Sequence, residues 1–412
     1  MENAANYIAL AIPFFFLFIG IEYWFSKVRH LDLYRFNDAI TNLNCGIGQQ
    51  IIGVFLKTAT ILLYVYCYDH YRFTTIPDTV WTWILLFVGV DFFYYWFHRL
   101  AHEISVLWGS HVVHHQSEEY NLTVALRQAW IQGIFSSSFY LPLAFMGFHP
   151  VAFVTINSFQ TLYQFWIHTK TIHKLPAWFE YVFNTPSHHR VHHGVNPIYI
   201  DRNHGGTLIV FDRLFGTFQE EQEEVVYGIT QQPNSWNPLW LNVEYWINMA
   251  KDMSKATNWK DKWGIFWHTP GWKPAELTTV ASAKSFNAKS FHKYDTHIAH
   301  SLNYYILVQH IVTLFGTTLF LFKGDFLSYM WRYLVALMLL HLLINVGGLL
   351  ENKTWAFRSE WVRLLLLVVI AIYLYNINTI SLSLCLGVGV YAIIAVVYLR
   401  PLQNEPPSQT AA

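Results

Sequence analysis

Cysteine is scarce in this chain, and its three cysteines follow no pattern. Cys45, Cys67 and Cys385 stand far apart, so neither a disulfide framework nor a cysteine-based metal site is expected. Charge is scarce as well: 13% of the 412 residues are charged, against about 25% in an ordinary soluble protein, and the net charge is zero. This balance provides no basic surface for nucleic acid, and we expect no nucleic-acid partner.

Apolar residues take the place of the missing charge, with 54% of the chain hydrophobic and 18% aromatic. Runs near the length of about 20 residues that a helix needs to cross a bilayer lie at about 7–26, 46–67, 80–98, 129–148, 151–168, 303–323, 328–350, 361–376 and 378–399. The first run has no basic segment before it and no small-residue cleavage site after it, which favours a retained span over a signal peptide. We therefore predict an all-α integral membrane protein, a multi-span helical bundle.

The distribution of the runs predicts the domains and the topology. Residues 1–275 form one membrane domain, 276–302 a linker, and 303–412 a four-span bundle with a polar tail. The turn at 147–150 makes a hairpin of the runs at 129–148 and 151–168. Lys27, Arg29 and Arg35 place the loop after the first span in the cytoplasm. Counting spans onward, His98 and His168 are expected on that same cytoplasmic side.

Histidine is concentrated in one part of the chain, because thirteen of the 21 histidines lie between His98 and His204. Most of them form three boxes at the ends of apolar runs: His98 and His102; His111, His114 and His115; and His188, His189, His192 and His193. Residues three and four apart share one side of a helix, so each box is expected to aim its imidazoles at one point.

Imidazole suits iron, zinc or copper. Eight ring nitrogens exceed the four ligands of a tetrahedral zinc and suit two metals, each with a position open to oxygen or substrate. Two further residues fit such a site. His168 ends the hairpin with Gln164 one turn before it, and is expected to be a ligand. Asp91 lies seven residues before His98, where it would hold a ligand imidazole by its second nitrogen; pairing with a polar neighbour for packing is the alternative.

At these motifs the chain resembles the fatty acid hydroxylase/sterol desaturase superfamily of membrane di-iron enzymes, and within it the alkylglycerol monooxygenase branch. The matching stretches are DFFYYWFHRLAHE at 91–103, YNLTVALRQ at 120–128, YQFWIHT at 163–169, NTPSHHRVHHG at 184–194, FDRLFGTF at 211–218 and VVYGIT at 225–230. The boxes point to the superfamily, and the stretches between them to the branch. The resemblance covers roughly residues 15–275.

The resemblance implies a set of site residues. The implied iron ligands are His98, His102, His111, His114, His115, His168, His189, His192 and His193, with His188 either a ligand or a support. Glu103 matches an acidic position beside the first box, and Asn121, Gln164 and Asp212 lie in matching stretches as further candidates for the catalytic machinery, together with Asp91. Two positions depart from the family pattern: His204 stands where tyrosine is expected and Phe211 where tryptophan is expected. His204 is either an extra ligand or an aromatic replacement.

The chemistry implied is hydroxylation of a lipid C–H bond by two iron ions, dioxygen and a reductant. In the implied branch the lipid is a glyceryl ether, the reductant is tetrahydrobiopterin, and the hydroxylated product collapses to an aldehyde and a glycerol derivative. A sterol or fatty acyl hydroxylase or desaturase fed by a protein electron donor is the alternative. A metal transporter is disfavoured because the histidines lie at span ends rather than mid-span, and a non-catalytic scaffold because no box has lost a histidine. The membrane would be the endoplasmic reticulum in a eukaryote and the plasma membrane in a bacterium.

Overall fold

The computed structural model describes residues 7–278 and 291–403. These residues form helices and no β-strand, with isolated bridges between Phe183 and Leu208 and between Gly194 and Tyr227. Six helices within them are long and apolar enough to cross a membrane: Leu10–Arg29, Phe36–Tyr71, Val80–Glu103, His300–Phe326, Tyr329–Leu350 and Leu382–Leu402. The prediction of an all-α membrane protein is confirmed, and the cytoplasmic orientation of the site stays a prediction.

The chain divides into two compact units. The first comprises Met1–Pro233 and Leu241–Lys293, and the second Asn234–Trp240 and Tyr294–Ala412. The predicted boundaries at 275 and 302 stay predictions. The middle of the predicted linker, 279–290, and the polar tail from 404 lie outside the described residues.

Helices of very different length build the first unit. Three are long: α1 (Tyr7–Arg29), α2 (Phe36–Tyr71) and α3 (Val80–Glu103). The others are α4 (Ser105–Gly109), α5 (Val112–His115), α6 (Gln132–Phe139), α7 (Leu141–Met146), α8 (Pro150–Trp166), α9 (Ala177–Val182), α10 (Pro186–His192), α11 (Val210–Phe215), α12 (Pro238–Lys255), whose first three residues belong to the second unit, and α13 (Trp259–Trp267). Two of the short ones, α5 and α10, carry His114, His115, His188, His189 and His192.

The predicted hairpin of two spans is wrong in its first arm. Residues 129–148 form two short helices, α6 and α7, because Pro142 has no N–H for a continuous helix and lies in the first turn of a new one. The turn that follows is as predicted: Gly147 has a φ of 95°, and a Cβ there would collide with the backbone of Thr74. The second arm, α8, has 17 residues and a length of about 26 Å, short of the hydrocarbon thickness of about 30 Å.

Helix α3 delivers the first box. Thr79 caps its N-terminus and forms a capping box with Thr82, which satisfies backbone N–H groups of the first turn. From there α3 runs for 24 residues and buries Leu86, Val90 and Tyr95 against α6, α7, α8 and the segment around 208–211. Its last turns place His98 and His102 one above the other at the end of an apolar span.

The second unit is a bundle of α14 (His300–Lys323), α15 (Tyr329–Leu350), α16 (Thr354–Asn376) and α17 (Leu382–Leu402). A buried ion pair lies inside it: the Arg363 guanidinium donates to both carboxylate oxygens of Glu360. Asn345 and Tyr305 donate to the same carboxylate, and Arg363 also donates to Gln309. Arg363 further donates to Tyr391 of α17, so every charge here has several partners and the pair joins all four helices.

Candidate metal centre

Nine buried imidazoles meet inside the first unit and divide into two groups. The first histidine group is His98, His102, His111, His115 and His192, and the second is His114, His168, His189 and His193. Within each group one ring nitrogen per residue lies within 4.8 Å of the others. The groups adjoin, since the rings of His115 and His193 stack with centroids 4.4 Å apart.

The prediction that each box aims all its imidazoles at one point is wrong. In the second box His111 and His115 join the first group, whereas His114 joins the second. The third box divides in the opposite sense, because His189 and His193 enter the second group and His192 the first. The reason is angular: positions i and i+4 diverge by about 40° around a helix, but i+3 and i+4 diverge by about 100°.

Ring nitrogens within each group are separated by the distance of neighbouring ligands on one ion. In the first group His111 Nε2 lies 3.0 Å from His98 Nε2 and 3.2 Å from His115 Nε2. In the second group His168 Nε2 lies 3.2 Å from His114 Nε2 and 3.0 Å from His189 Nε2. Metal–imidazole bonds of about 2.1 Å at right angles place adjacent nitrogens about 3 Å apart.

In five of the nine imidazoles, the ring nitrogen that faces away from its group donates a hydrogen bond to an oxygen atom of the surrounding chain. Four of them donate to backbone carbonyls: His98 Nδ1 to His204, His114 Nδ1 to Arg127, His168 Nδ1 to Gln164, and His192 Nδ1 to Arg202, over 2.7–3.0 Å. His111 Nδ1 donates to the Gln132 side-chain oxygen at 2.9 Å. A hydrogen on Nδ1 leaves the lone pair on Nε2, so these contacts turn basic nitrogens toward the centre of each group.

The donor set fits a metal ion. Buried polar atoms normally have a hydrogen-bond partner, yet within the described residues His102 Nε2 and His192 Nε2 have none, and both belong to the first group. An ion bound there would satisfy both. Sites built only from imidazole suit iron, zinc or copper rather than magnesium or calcium.

Burial also sets the protonation state of these rings. Desolvation lowers the pKa of His111 and of His168 to about 4, and it lowers the pKa of His114, His189 and His193 well below the ordinary value. The neighbouring imidazoles act in the same direction on the last three. Neutral imidazole is the form that binds metal, so the pocket holds its ligands ready for an ion at neutral pH.

Two of the proposed residues lie away from the groups. His188 belongs to neither group in the described part of the chain, and its Nδ1 lies 3.3 Å from the hydroxyl of Thr185. Glu103 accepts a hydrogen bond from Arg99 at 2.8 Å, in a partly exposed pair on the outside of α3.

Asp91 does not hold an imidazole, contrary to the sequence-based expectation. Seven residues separate it from His98, which is a rise of about 10 Å along α3. Its carboxylate instead accepts from Gln160 Nε2 and from the backbone N–H groups of Thr207 and Leu208, at 2.6–2.8 Å. Asp91 therefore ties α3 to α8 and to the segment whose carbonyl at His204 holds His98.

The three remaining candidates also act on the backbone. Asp212 accepts from the N–H groups of His204 and Gly205 and from Thr217, and burial raises its pKa to about 6 despite these hydrogen bonds. Asn121 donates to the carbonyl of Leu33 and accepts from Thr123. Gln164 acts through its carbonyl on His168, while its side chain accepts from Tyr94.

Sequence reasoning missed the side chains that position the second box. Gln132 holds His111, and Arg127 fixes the carbonyl that holds His114 by donating to Val113 O, Asn42 and Gln116. Asp201, with a φ of 56°, brings its carboxylate to 3.6 Å from His102 Nδ1. Nothing in the spacing of Gln132 or Asp201 marks them, since each lies far from its partner in the chain.

Comparisons with known proteins agree with this arrangement. The sequence profile of the fatty acid hydroxylase family matches residues 83–217, which include all nine imidazoles of the two groups. Alkylglycerol monooxygenase of Xenopus tropicalis is 41% identical over 277 residues, and the human enzyme 39% over 280; each match covers 67% of this chain and 62% of the relative. The chain thus spans less than two thirds of those relatives. Alkylglycerol monooxygenase of Danio rerio is 34% identical over 373 residues, 89% of this chain and 82% of the relative. No solved structure matches.

Proposed function

Since the chain belongs to the alkylglycerol monooxygenase family, we propose that it is an iron-dependent membrane monooxygenase that cleaves the ether bond of alkylglycerols. The observation that carries this proposal is the pair of adjoining groups of five and four buried imidazoles. An all-imidazole site for two neighbouring ions suits oxygen chemistry on an unactivated C–H bond. A transporter would need ionisable side chains along a path through the bilayer. The two histidine groups instead form one closed cluster, which disfavours a transporter.

The first histidine group would hold one iron ion and the second histidine group the other. When bound, the two ions supply activation of dioxygen with two electrons from a reductant. One oxygen atom enters the C–H bond next to the ether oxygen and the other leaves as water. The hydroxylated ether is a hemiacetal, which breaks to a fatty aldehyde and a glycerol derivative.

The chain's own residues prepare the site for this reaction. The carbonyls of His204, Arg127 and Gln164 orient ligand rings before any ion arrives, which reduces the cost of assembling the site. Burial keeps the rings neutral and excludes bulk water from the cluster. A dry cluster protects a reactive centre from side reactions with solvent.

A cavity in the first unit supports a lipid as the substrate. It has a volume of about 710 Å³, within the range of about 300–1,000 Å³ of small-molecule sites. Apolar side chains from α1 and α8 line most of it, namely Phe14, Phe15, Phe18, Phe25, Leu162 and Phe165. Its polar lining includes Glu22 and Thr169, and Thr169 directly follows the ligand His168. An alkyl chain fits the apolar wall, and a glycerol group fits the polar end.

The test is aldehyde release from an alkylglycerol with a fluorescent tail, incubated with membranes that contain the protein. We expect release that requires tetrahydrobiopterin and stops when iron is chelated. If protein that holds two irons released no aldehyde, ether cleavage would be contradicted. The substrate would then be sought among sterols and acyl chains, with a protein as the electron donor. Absence of bound metal in the purified protein would contradict the metal centre itself.

A further inference from the structure

His204 is a tenth imidazole that the two histidine groups do not use. It is fully buried, and neither of its ring nitrogens has a partner at good hydrogen-bond geometry in the described part of the chain, although the backbone of Asp201 lies near the ring. Most buried imidazoles donate from one nitrogen and accept at the other. Two unsatisfied nitrogens on one buried ring are exceptional and require an explanation.

The backbone of His204 is fixed on both sides. Its N–H donates to Asp212 Oδ1 at 2.7 Å, and its carbonyl accepts from His98 Nδ1 at 2.8 Å. The side chain is therefore held beside the first group by bonds that leave the ring nitrogens unused. Packing alone would be served equally well by an apolar ring in this position.

The ring of His204 lies among three members of the first group. Its centroid is 5.1 Å from that of His102, 5.6 Å from that of His192 and 5.7 Å from that of His98. Neighbouring rings within the group are 4.3–5.3 Å apart. The distance from His204 to His102 lies inside this range, and the distances to His192 and His98 exceed it by a few tenths of an ångström. Two of these three neighbours, His102 and His192, also have an unpartnered Nε2.

One bound ion would account for His102 Nε2, for His192 Nε2 and for one of the two His204 nitrogens. We propose that His204 is a sixth imidazole ligand of the ion held by the first histidine group. The two ions would then differ, with six imidazoles around the first and four around the second. A crowded first ion would leave the position for oxygen and substrate at the second, whose ligand His168 directly precedes Thr169 of the cavity lining. This proposal rests on metal binding as set out under the proposed function.

The experiment uses the full chain in nanodiscs loaded with Co²⁺, whose visible spectrum reports the number of ligands. His204→Phe removes both nitrogens and keeps an aromatic ring of similar size. We expect the variant to bind one Co²⁺ as the unchanged protein does, and the other about 10–100-fold more weakly with an altered spectrum. His173→Phe is the matched control, because His173 is an exposed histidine outside both groups.

Thermal unfolding of the metal-free variant separates ligation from a structural role. The ring nitrogens of His204 have no well-aligned hydrogen bond to lose, so metal-free His204→Phe should unfold at the same temperature as the unchanged chain or a higher one. Two Co²⁺ ions bound with unchanged affinity and spectrum would overturn the proposal, as would a loss of metal that accompanies a loss of metal-free stability. An unchanged chain that binds no Co²⁺ would contradict the metal centre rather than His204 alone.

Discussion

At the scale of single residues, the two nitrogens of each imidazole have separate tasks. One nitrogen faces the centre of a group, and in five of the nine rings the other donates to an oxygen that is fixed by the fold. The orientation of a ligand therefore depends on the atom behind it as much as on its place in the sequence. This division of tasks makes both kinds of residue testable by substitution.

The division of the boxes predicts which ion each histidine holds. His114 belongs to the second box and to the second histidine group, whereas His192 belongs to the third box and to the first histidine group. The two variants to test are His114→Ala and His192→Ala. Each should abolish aldehyde release and remove about one of two irons, because a site that loses one of its ligands binds much more weakly. Metal analysis of the single and double variants checks this. If the double variant retained as much iron as either single one, the assignment to two ions would be wrong.

Gln132 is predicted to act through His111. Gln132→Leu removes the acceptor of the His111 Nδ1–H and leaves the ligand in place. We expect iron affinity to fall by about 10–100-fold, with folding retained. Competition with a chelator measures the affinity, and Gln128→Leu is the control, since Gln128 bonds only to the carbonyl of Ala125 among the contacts described. Equal affinities in the two variants would contradict this role.

At the scale of elements, the site depends on helices that stop early. α3 ends at Glu103 and the chain then breaks into α4 and α5, so the second box turns back onto the first. The 203–208 segment is hydrogen-bonded to Asp91 of α3 and to Asp212 of α11, which accept from its backbone N–H groups. A continuous helix in either place would carry the histidines away from one another at 1.5 Å per residue.

The α1–α8 cavity predicts a dependence on chain length. Leu162→Trp fills part of its apolar wall, so long alkyl ethers should lose more activity than short ones. We expect the ratio of kcat/KM for a hexadecyl over an octyl glycerol ether to fall at least about tenfold. Leu63→Trp, at an exposed position on α2 that does not line the cavity, should leave the ratio unchanged. An equal loss for both chain lengths in Leu162→Trp would place the alkyl chain elsewhere.

At the scale of the whole molecule, burial governs how the protein responds to acid. The folded pKa of His111 and of His168, about 4, lies below the ordinary value of about 6.5. A lowered pKa means that the folded protein takes up protons at these rings only when the pH approaches the lower value. Between the two values the unfolded chain binds more protons, so the free energy of unfolding decreases as the pH falls.

The pH at which the protein releases iron should also be set by the lowered pKa of these imidazoles. Iron should stay bound from pH 7 to about pH 5 and be released as the pH falls toward about 4, because protons compete for the imidazoles only there. Iron per chain after gel filtration across this range checks the prediction. Half-release near pH 6.5, the value of free imidazole, would show that the rings are not shielded from solvent.

The second unit is predicted to depend on its buried ion pair. Arg363→Met leaves the Glu360 carboxylate buried without its cation, and we expect a loss of about 3–5 kcal/mol in the free energy of unfolding. Glu360→Leu combined with Arg363→Met should recover most of that loss, because no unpaired charge remains. Unfolding monitored by circular dichroism in increasing dodecyl sulfate measures both. A loss below about 1 kcal/mol for the single variant would show that water reaches Glu360.

The sequence alone determined the class of the protein and predicted the kind of metal centre that the proposed chemistry needs. Apolar runs long enough for a bilayer predicted most of the long helices, since a helix in lipid needs little beyond length and apolar side chains. Histidines at helical spacing predicted an imidazole metal centre, because that property belongs to neighbours in the chain. Where a run was interrupted by Pro142, the same criterion of length failed, and two short helices replaced the expected span.

Only the tertiary structure decided which imidazole joins which group and what stands behind each ring. The partners of His98 and His114 are backbone carbonyls, and every residue has one, so no residue type marks them in the sequence. Asp91 and Gln132 bond across 116 and 21 residues respectively. Such contacts depend on the packing of distant helices, which one-dimensional spacing does not contain. The unpartnered nitrogens of His204 likewise exist only because folding buries that ring beside the first histidine group.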